Sequence, residues 1–217
     1  MHQLIELYRN FTDPNWISAH GGLYIVLFII FAETGLFVGF FLPGDSLLFI
    51  AGVIIAGSAK NPTPFESIPL NLVYWISIIS VAGIVGNMVG YWFGNKSGHL
   101  LMKRPDSFLF KKKNLEQAHE FYERKGGAAI ILARFVPIVR TFAPIVAGIA
   151  EMNYKKFIMY NIIGCLAWVI SMTMTGFLLG NNEWVLKHID IIVVGMIVVT
   201  TAPVLFKMFF GKKKATA

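Results

Sequence analysis

Four apolar runs, at residues 23–39, 73–94, 157–180 and 189–210, set the terms on which this 217-residue chain can fold. About 20 apolar residues, with roughly 17 as the lower limit, are needed to cross a bilayer core, and each run meets that length. One small core could not absorb so much apolar surface. The composition agrees: 56% of residues are hydrophobic and 14% charged, against roughly 45–50% and about 25% in an average soluble domain. Helices satisfy their own backbone polar groups in lipid, so the chain reads as an all-α polytopic membrane protein. Glu6, Arg9 and Asp13 precede the first run without a basic leader or a small-residue cleavage site, and no cleaved signal peptide is expected.

Two further apolar segments are interrupted. Residues 40–57 are broken by Pro43-Gly44-Asp45, and residues 128–149 are broken by Pro137 and Pro144 and carry Arg134 and Arg140. Each reads as a helix–break–helix hairpin. Charge bias then assigns sides. The loop 95–127 holds eight Lys/Arg and the tail four (Lys207, Lys212, Lys213 and Lys214), so both are expected on the cytoplasmic side. The spans 157–180 and 189–210 already return the chain to that side, which makes 128–149 re-entrant from the cytoplasm and 40–57 re-entrant from outside. On this topology fifteen of the nineteen Lys/Arg lie inside, two outside (Lys60 and Lys187) and two in the membrane. The expected organisation is a cytoplasmic segment 1–22, a single membrane domain 23–210 and a basic cytoplasmic tail 211–217, with both termini cytoplasmic. Prolines Pro62, Pro64 and Pro69 mark residues 58–72 as an irregular outer loop. Residues 114–124, with Leu115, Ala118, His119 and Tyr122 at helical spacing among Glu116, Glu120 and Glu123, predict a short amphipathic cytoplasmic helix. Phe41-Leu42-Pro43 is echoed by Phe135-Val136-Pro137 in the hairpin of opposite entry, the pattern of an inverted repeat with broken helices.

Glu33, Asp45, Arg134 and Arg140 lie within apolar segments. At the bilayer centre each costs roughly 2.5–3.5 kcal/mol on insertion scales, so they must be paired, hydrated or functional. Two carboxylates in one half and two guanidiniums in the other sum to zero, which suits a shared cluster between the hairpins. Arginine offers a planar fork of donors matched to phosphate, and freed backbone N–H groups near a helix break add more. Arg134 and Arg140 are therefore the candidate phosphate-binding pair. Desolvation and a neighbouring arginine act on a buried carboxyl in opposite directions, which suits Glu33 and Asp45 to proton coupling. Asp45 has a second role open to it, capping a helix that starts near Ser46.

Other features are read more plainly. Gly83, Gly86, Gly90 and Gly94 form a small-residue stripe for close helix approach. Cys165, the one cysteine, reads as packing. Asn87, Asn161 and Trp168 either hydrogen-bond within the bundle or touch substrate. The five histidines show no metal-ligand spacing, and no nucleophile elbow or P-loop is present. No cofactor, metal or nucleic-acid partner is expected, and the chain reads as a non-enzyme.

Glu33-Thr34-Gly35, then Phe41-Leu42-Pro43-Gly44-Asp45-Ser46-Leu47-Leu48, and later Gly126-Gly127 followed by Arg134-Phe135-Val136-Pro137-x-x-Arg140-x-x-x-Pro144-x-x-Ala147-Gly148, together resemble the DedA family of bacterial inner-membrane proteins. Met152, Phe157, Asn161, Gly164 and Trp168 continue the likeness to about residue 180. The resemblance implies two opposed re-entrant hairpins and kinship with the VTT-domain lipid scramblases. It also implies return of undecaprenyl phosphate across the membrane, proton-motive-force-dependent homeostasis, and resistance to alkaline stress and cationic compounds. The family's essential acids correspond to Glu33 and Asp45 and its essential arginines to Arg134 and Arg140, with Pro43, Gly44, Pro137, Pro144, Asn161 and Trp168 in support. The expected function is proton-coupled translocation of a phosphate-headgroup lipid, with membrane lipids and protons as partners and a homo-oligomer possible. The alternatives are a proton-coupled antiporter for small cations or drugs and a passive phospholipid scramblase.

Overall fold

The computed structural model describes residues 16–17, 22–35, 44–57, 64–102, 127–189 and 191–196. The described residues are helical, without strands, in the order α1 (Leu23–Gly35), α2 (Gly44–Ala56), α3 (Ile68–Met102), α4 (Gly127–Ala133), α5 (Pro137–Ile149), α6 (Tyr154–Leu179) and α7 (Glu183–Lys187). Pro43, the loop 103–126 with its expected amphipathic helix, both termini and most of the run 189–210 lie outside the described residues.

Length divides the helices into two kinds. Within α3, Ile68–Gly98 forms an apolar stretch of 31 residues, and α6 has 26, or about 46 and 39 Å at 1.5 Å per residue. Both exceed a hydrocarbon core of about 30 Å. Only a third of each is buried within the fold, and the outward faces carry Val73, Val81, Trp92, Ile163 and Leu178. A long helix that is apolar all round faces lipid on the sides that no neighbour covers. The three 13-residue helices α1, α2 and α5 reach about 20 Å, and the span expected at 23–39 is described only as far as Gly35.

Three sequence readings need correction. α3 is longer than the expected 73–94 span at both ends. Pro69 is its second residue, where a missing N–H breaks no helical hydrogen bond, so that proline starts the helix instead of belonging to an irregular loop. At the other end Gly94 and Gly98 carry the helix through a close contact with α5 instead of ending it. Pro144, expected as a second break, sits inside a continuous α5. The one break in this segment is at residues 134–136. There Arg134 N–H and Phe135 N–H turn back to the carbonyls of Ile131 and Leu132 at 3.2 Å, and Val136 is extended (φ −117°, ψ 108°) as the residue before a proline tends to be. α6 begins at Tyr154, capped by Asn153, whose side chain accepts from the N–H groups of Lys155 and Lys156.

Glycines decide how these helices meet. A Cβ on Gly94 would come within 2.9 Å of Ile145 Cα, one on Gly98 within 3.0 Å of Ile149 Cα, and one on Gly148 within 2.7 Å of Asn95 N, so α3 and α5 lie backbone to backbone. α2 and α6 repeat this arrangement. A Cβ on Gly176 would come within 3.0 Å of Phe49 Cα, one on Gly180 within 2.9 Å of Val53 Cα, and one on Gly52 within 2.6 Å of Phe177 N. In α3 and α6 the glycines are four apart, and each facing helix supplies an Ala-Gly pair, Ala147-Gly148 or Ala51-Gly52. Between the long helices, Cys165 donates to the Ser80 carbonyl, Asn161 to the Ile84 carbonyl, and Tyr91 stacks on Phe157. Numbers rise on one helix as they fall on the other, so α3 and α6 are antiparallel. α2 with α3 in the first half and α5 with α6 in the second thus form two units, and each unit's short helix packs on the other's long one.

Val at Gly148 or Gly176 would force these backbones apart. Each is expected to lower stability by about 3 kcal/mol, at the upper end of overpacking costs, in thermal melts of the detergent-solubilised protein. Gly57→Ala, where nothing lies within 4 Å of the added Cβ, should leave the melt unchanged.

Candidate functional site

The site forms where α1, α2, α3, α5, α6 and the α4–α5 break converge. α1 supplies Glu33, and the next residue locks it in register. Thr34 Oγ1 donates to the Ile30 carbonyl at 2.8 Å, and the Thr34 side chain fills the space above Gly86, where a Cβ would overlap it. α2 supplies Asp45 in its first turn. α5 supplies Arg140 in its first full turn after Pro137, and the Arg140 backbone N–H donates to the Val136 carbonyl at 2.9 Å. All are buried, with Glu33 2%, Arg134 3% and Arg140 5% exposed.

Arg140 holds both acids. Its Nη2 donates to Glu33 Oε1 and its Nη1 to Asp45 Oδ1, so one planar fork bridges α1 and α2 from the other half of the chain. The guanidinium lies over the Trp168 ring, 4.6 Å from its centroid, within the range of a cation–π contact. Trp168 Nε1 donates to Asp45 Oδ1 at 2.7 Å. Asp45 lies inside α2, in its first turn, with Oδ1 turned to Arg140 and Trp168.

Arg134 is treated differently. The expected shared cluster of two acids and two arginines resolves into one arginine with both acids and one arginine with neither. Among the described residues Arg134 forms no ion pair. Its Nη2 donates to Asn161 Oδ1, and the Asn161 amide in turn donates to the Ile84 carbonyl at 3.2 Å. Asn87 lies beside both. In one orientation its amide donates to Asn161 Oδ1 at 2.7 Å. Turned over, its oxygen accepts from Arg134 Nη2 and its amide donates to the Thr34 carbonyl at 3.3 Å. The Arg134 guanidinium carbon is 6.0 Å from the Trp168 ring centroid, so one indole serves both arginines. Amide oxygens solvate a cation without cancelling its charge. Arg134 is therefore a buried guanidinium solvated by amides, outside the ion pair.

Pro137 sits in the first turn of α5, where its fixed φ helps restart the helix after the break. Pro144 has no N–H to give the Arg140 carbonyl four residues earlier, so α5 is locally released beside the ion pair. Gly44 makes room for Glu33: a Cβ there would overlap Oε2 and come within 2.6 Å of Cδ. Thr34 and Gly86 escaped the sequence reading as parts of the site. Their signal is a spacing, since Gly83, Gly86 and Asn87 share one face of α3 while Asn161, Gly164, Cys165 and Trp168 share one face of α6.

Comparison with known proteins places this geometry in a family. The VTT domain matches residues 42–178. The chain is 43% identical over 194 residues to Protein DedA of Escherichia coli K12, covering 89% of this chain and 85% of that protein. It is 35% identical over 211 residues to an uncharacterized membrane protein of Mycobacterium tuberculosis H37Rv, covering 94% and 89%. It is 33% identical over 190 residues to the inner membrane protein YqjA of Escherichia coli K12, covering 84% and 78%. No solved structure matches the chain.

Removing different members of the ion pair should have unequal effects on stability. Arg140→Met leaves two buried acids without a guanidinium and is expected to cost about 3–5 kcal/mol. Glu33→Gln keeps the Arg140–Asp45 pair and should cost no more than about 1–2 kcal/mol, near the worth of a single charged hydrogen bond. Chemical or thermal unfolding in detergent checks the order, and a Glu33→Gln loss as large as that of Arg140→Met would contradict it.

Proposed function

The chain belongs to the DedA family of VTT-domain membrane proteins, and on that premise we propose that it moves a phosphate-headgroup lipid, undecaprenyl phosphate above all, between membrane leaflets. The observation that carries this reading is Arg134: a fully buried guanidinium held by neutral amides, beside a second arginine whose charge two acids already meet. An uncompensated cation at this depth is costly, and a phosphate anion supplies the missing charge in the geometry that arginine favours. Arg134 is the primary phosphate ligand in this reading and Arg140 the second. Glu33 and Asp45 carry the protons that couple transport to the proton-motive force.

The topology follows the same reading. α3 and α6 cross the membrane, and the segment 189–210 supplies a further span. The segment 23–39 supplies another span, and the broken segments 40–57 and 128–149 enter from opposite faces and bring their charged residues to the midplane, where inverted-repeat transporters place their sites. The described charges support the orientation: Lys96, Lys155 and Lys156 lie at one end of the α3–α6 pair, while Glu66, Glu183 and Lys187 lie at the other. The first end is cytoplasmic by the bias of basic residues, and the inner membrane is the location that the name of the YqjA relative carries. The protein acts without bond-breaking chemistry, so labelled phosphate should stay on its lipid.

The test is leaflet-to-leaflet transfer of labelled undecaprenyl phosphate in vesicles holding the purified chain, with and without a pH gradient. Wild type should transfer the lipid faster with the gradient, and Arg134→Ala should lose at least about a hundredfold, of the order expected when a buried charge pair with the ligand is lost. Arg134→Lys and Arg140→Lys should also lose activity, and full transport by both would remove the bidentate part of the proposal. Transfer indifferent to the gradient identifies a scramblase. Gradient-driven uptake of a soluble cation with no lipid transfer identifies the antiporter.

A further inference from the structure

Glu33 fills its place incompletely. Oε1 accepts from Arg140, whereas Oε2 is buried without a hydrogen-bond partner. That second oxygen lies against Gly44 at the start of α2, in space that only a missing side chain leaves open. On the other side of the pair, Arg140 Nε is also buried and unpartnered. A carboxylate and a guanidinium that were matched to each other would meet with two parallel bonds. Here one guanidinium is divided between two acids, and a buried acceptor and a buried donor are left over. Unpaired buried polar atoms are unfavourable, so this arrangement favours an occupant that uses more of the fork than Glu33 does.

The two acids are not equivalent. Asp45 Oδ1 is held from two sides, by Arg140 and by Trp168 Nε1, and belongs to the fixed frame. Glu33 is held through one oxygen only. The charged groups that face it are Arg140 on α5, Asp45 on α2 and Arg134 at the break before α5, while Cys165 on α6 and Asn87 on α3 face Arg134.

We propose that Glu33 is a displaceable stand-in for the phosphate. Its carboxylate occupies the place between Arg140 and the start of α2 that a phosphate oxyanion takes, and the anion enters as Glu33 accepts a proton and releases Arg140. The inference rests on the lipid-phosphate reading and adds to it a proton-for-anion exchange at one residue. In the exchange the Arg140 N–H bond to Glu33 breaks, a bond from the same N–H to a phosphate oxygen forms, and a proton from water joins the Glu33 carboxyl. The four ionisable residues sum to zero before the exchange. One negative charge and one proton enter together, so a phosphate monoanion leaves the buried site neutral, which a medium of low dielectric strongly favours. Entry of the anion alone would leave it at −1.

The experiment measures binding of a short-chain polyprenyl monophosphate to the full chain in lipid nanodiscs, with inorganic phosphate as a second probe. Affinity is followed against pH, and proton uptake is followed with a dye in weak buffer, for wild type and Glu33→Gln. The ligand's own ionisation is common to both proteins, so only the difference between them is read. Glu33→Gln is expected to take up one proton fewer per phosphate and to bind more tightly as pH rises. Wild-type affinity should fall by up to tenfold per pH unit relative to it where Glu33 is ionised, the slope of a single linked proton. Gly44→Ala, which puts a methyl group where Oε2 lies, should weaken binding at least tenfold and keeps the test available if Glu33→Gln fails to fold. Equal uptake and equal pH slopes in wild type and Glu33→Gln, or wild-type affinity in Gly44→Ala, would overturn the exchange and leave the lipid-phosphate reading standing. The same Glu33 dependence for inorganic phosphate, with no competition by the lipid, would keep the exchange and overturn the lipid. No binding of either probe to folded wild type would overturn both.

Discussion

Arg140 ties the two halves of the molecule into one. Its guanidinium reaches from α5 to Glu33 on α1 and Asp45 on α2 and rests on Trp168 of α6, so four helices depend on the position of one side chain. Water would make such a pair nearly worthless, since exposed ion pairs contribute about 0–1 kcal/mol. Burial reverses this. With no solvent to take up a stranded charge, separating the halves leaves two acids and an arginine unmatched in an apolar medium, and the cost of breaking the contact exceeds the gain from forming it.

Bringing those charges into contact requires helix axes closer than ordinary side chains allow. The glycines provide this: Gly94, Gly98 and Gly148 between α3 and α5, and Gly176, Gly180 and Gly52 between α6 and α2. In lipid, packing of small residues replaces the hydrophobic effect as the force between helices, so the same contacts that bring the site together also hold the fold. The scaffold is close to symmetric, but the chemistry on it is not. The first unit contributes the acids and the second the arginines. The contacts between the two units bring Arg140 of one face to face with Glu33 and Asp45 of the other.

The cluster is asymmetric. Arg140 meets both acids while Arg134 is solvated by amides alone. Trp168 spans the two, with its N–H on Asp45 and its ring beneath both guanidiniums. Fully buried, the indole holds the spacing of the arginines without adding charge.

Much of this was legible in the chain before folding. Apolar runs of bilayer length and four ionisable residues inside them indicate a membrane protein with an internal polar centre, because lipid tolerates neither unpaired charge nor open backbone. Pro137 marked a helix break, and the DedA-like motifs pointed to Glu33, Asp45, Arg134 and Arg140 together. Pro144 misled, since a proline in a helix removes one hydrogen bond and the packing of α5 on α3 outweighs that loss. α3 runs past both ends of the apolar run 73–94, and the stripe of glycines read for close helix approach is where it meets α5, at Gly94. Tertiary structure alone decided which arginine takes the acids, where Asp45 turns, that Asn87 and Asn161 meet Arg134, and that Thr34 belongs to the site. Sequence fixes the number and sign of buried charges, a property of composition within each segment. Their pairing depends on distances between helices far apart in the chain, and those distances are set only when the glycine faces close.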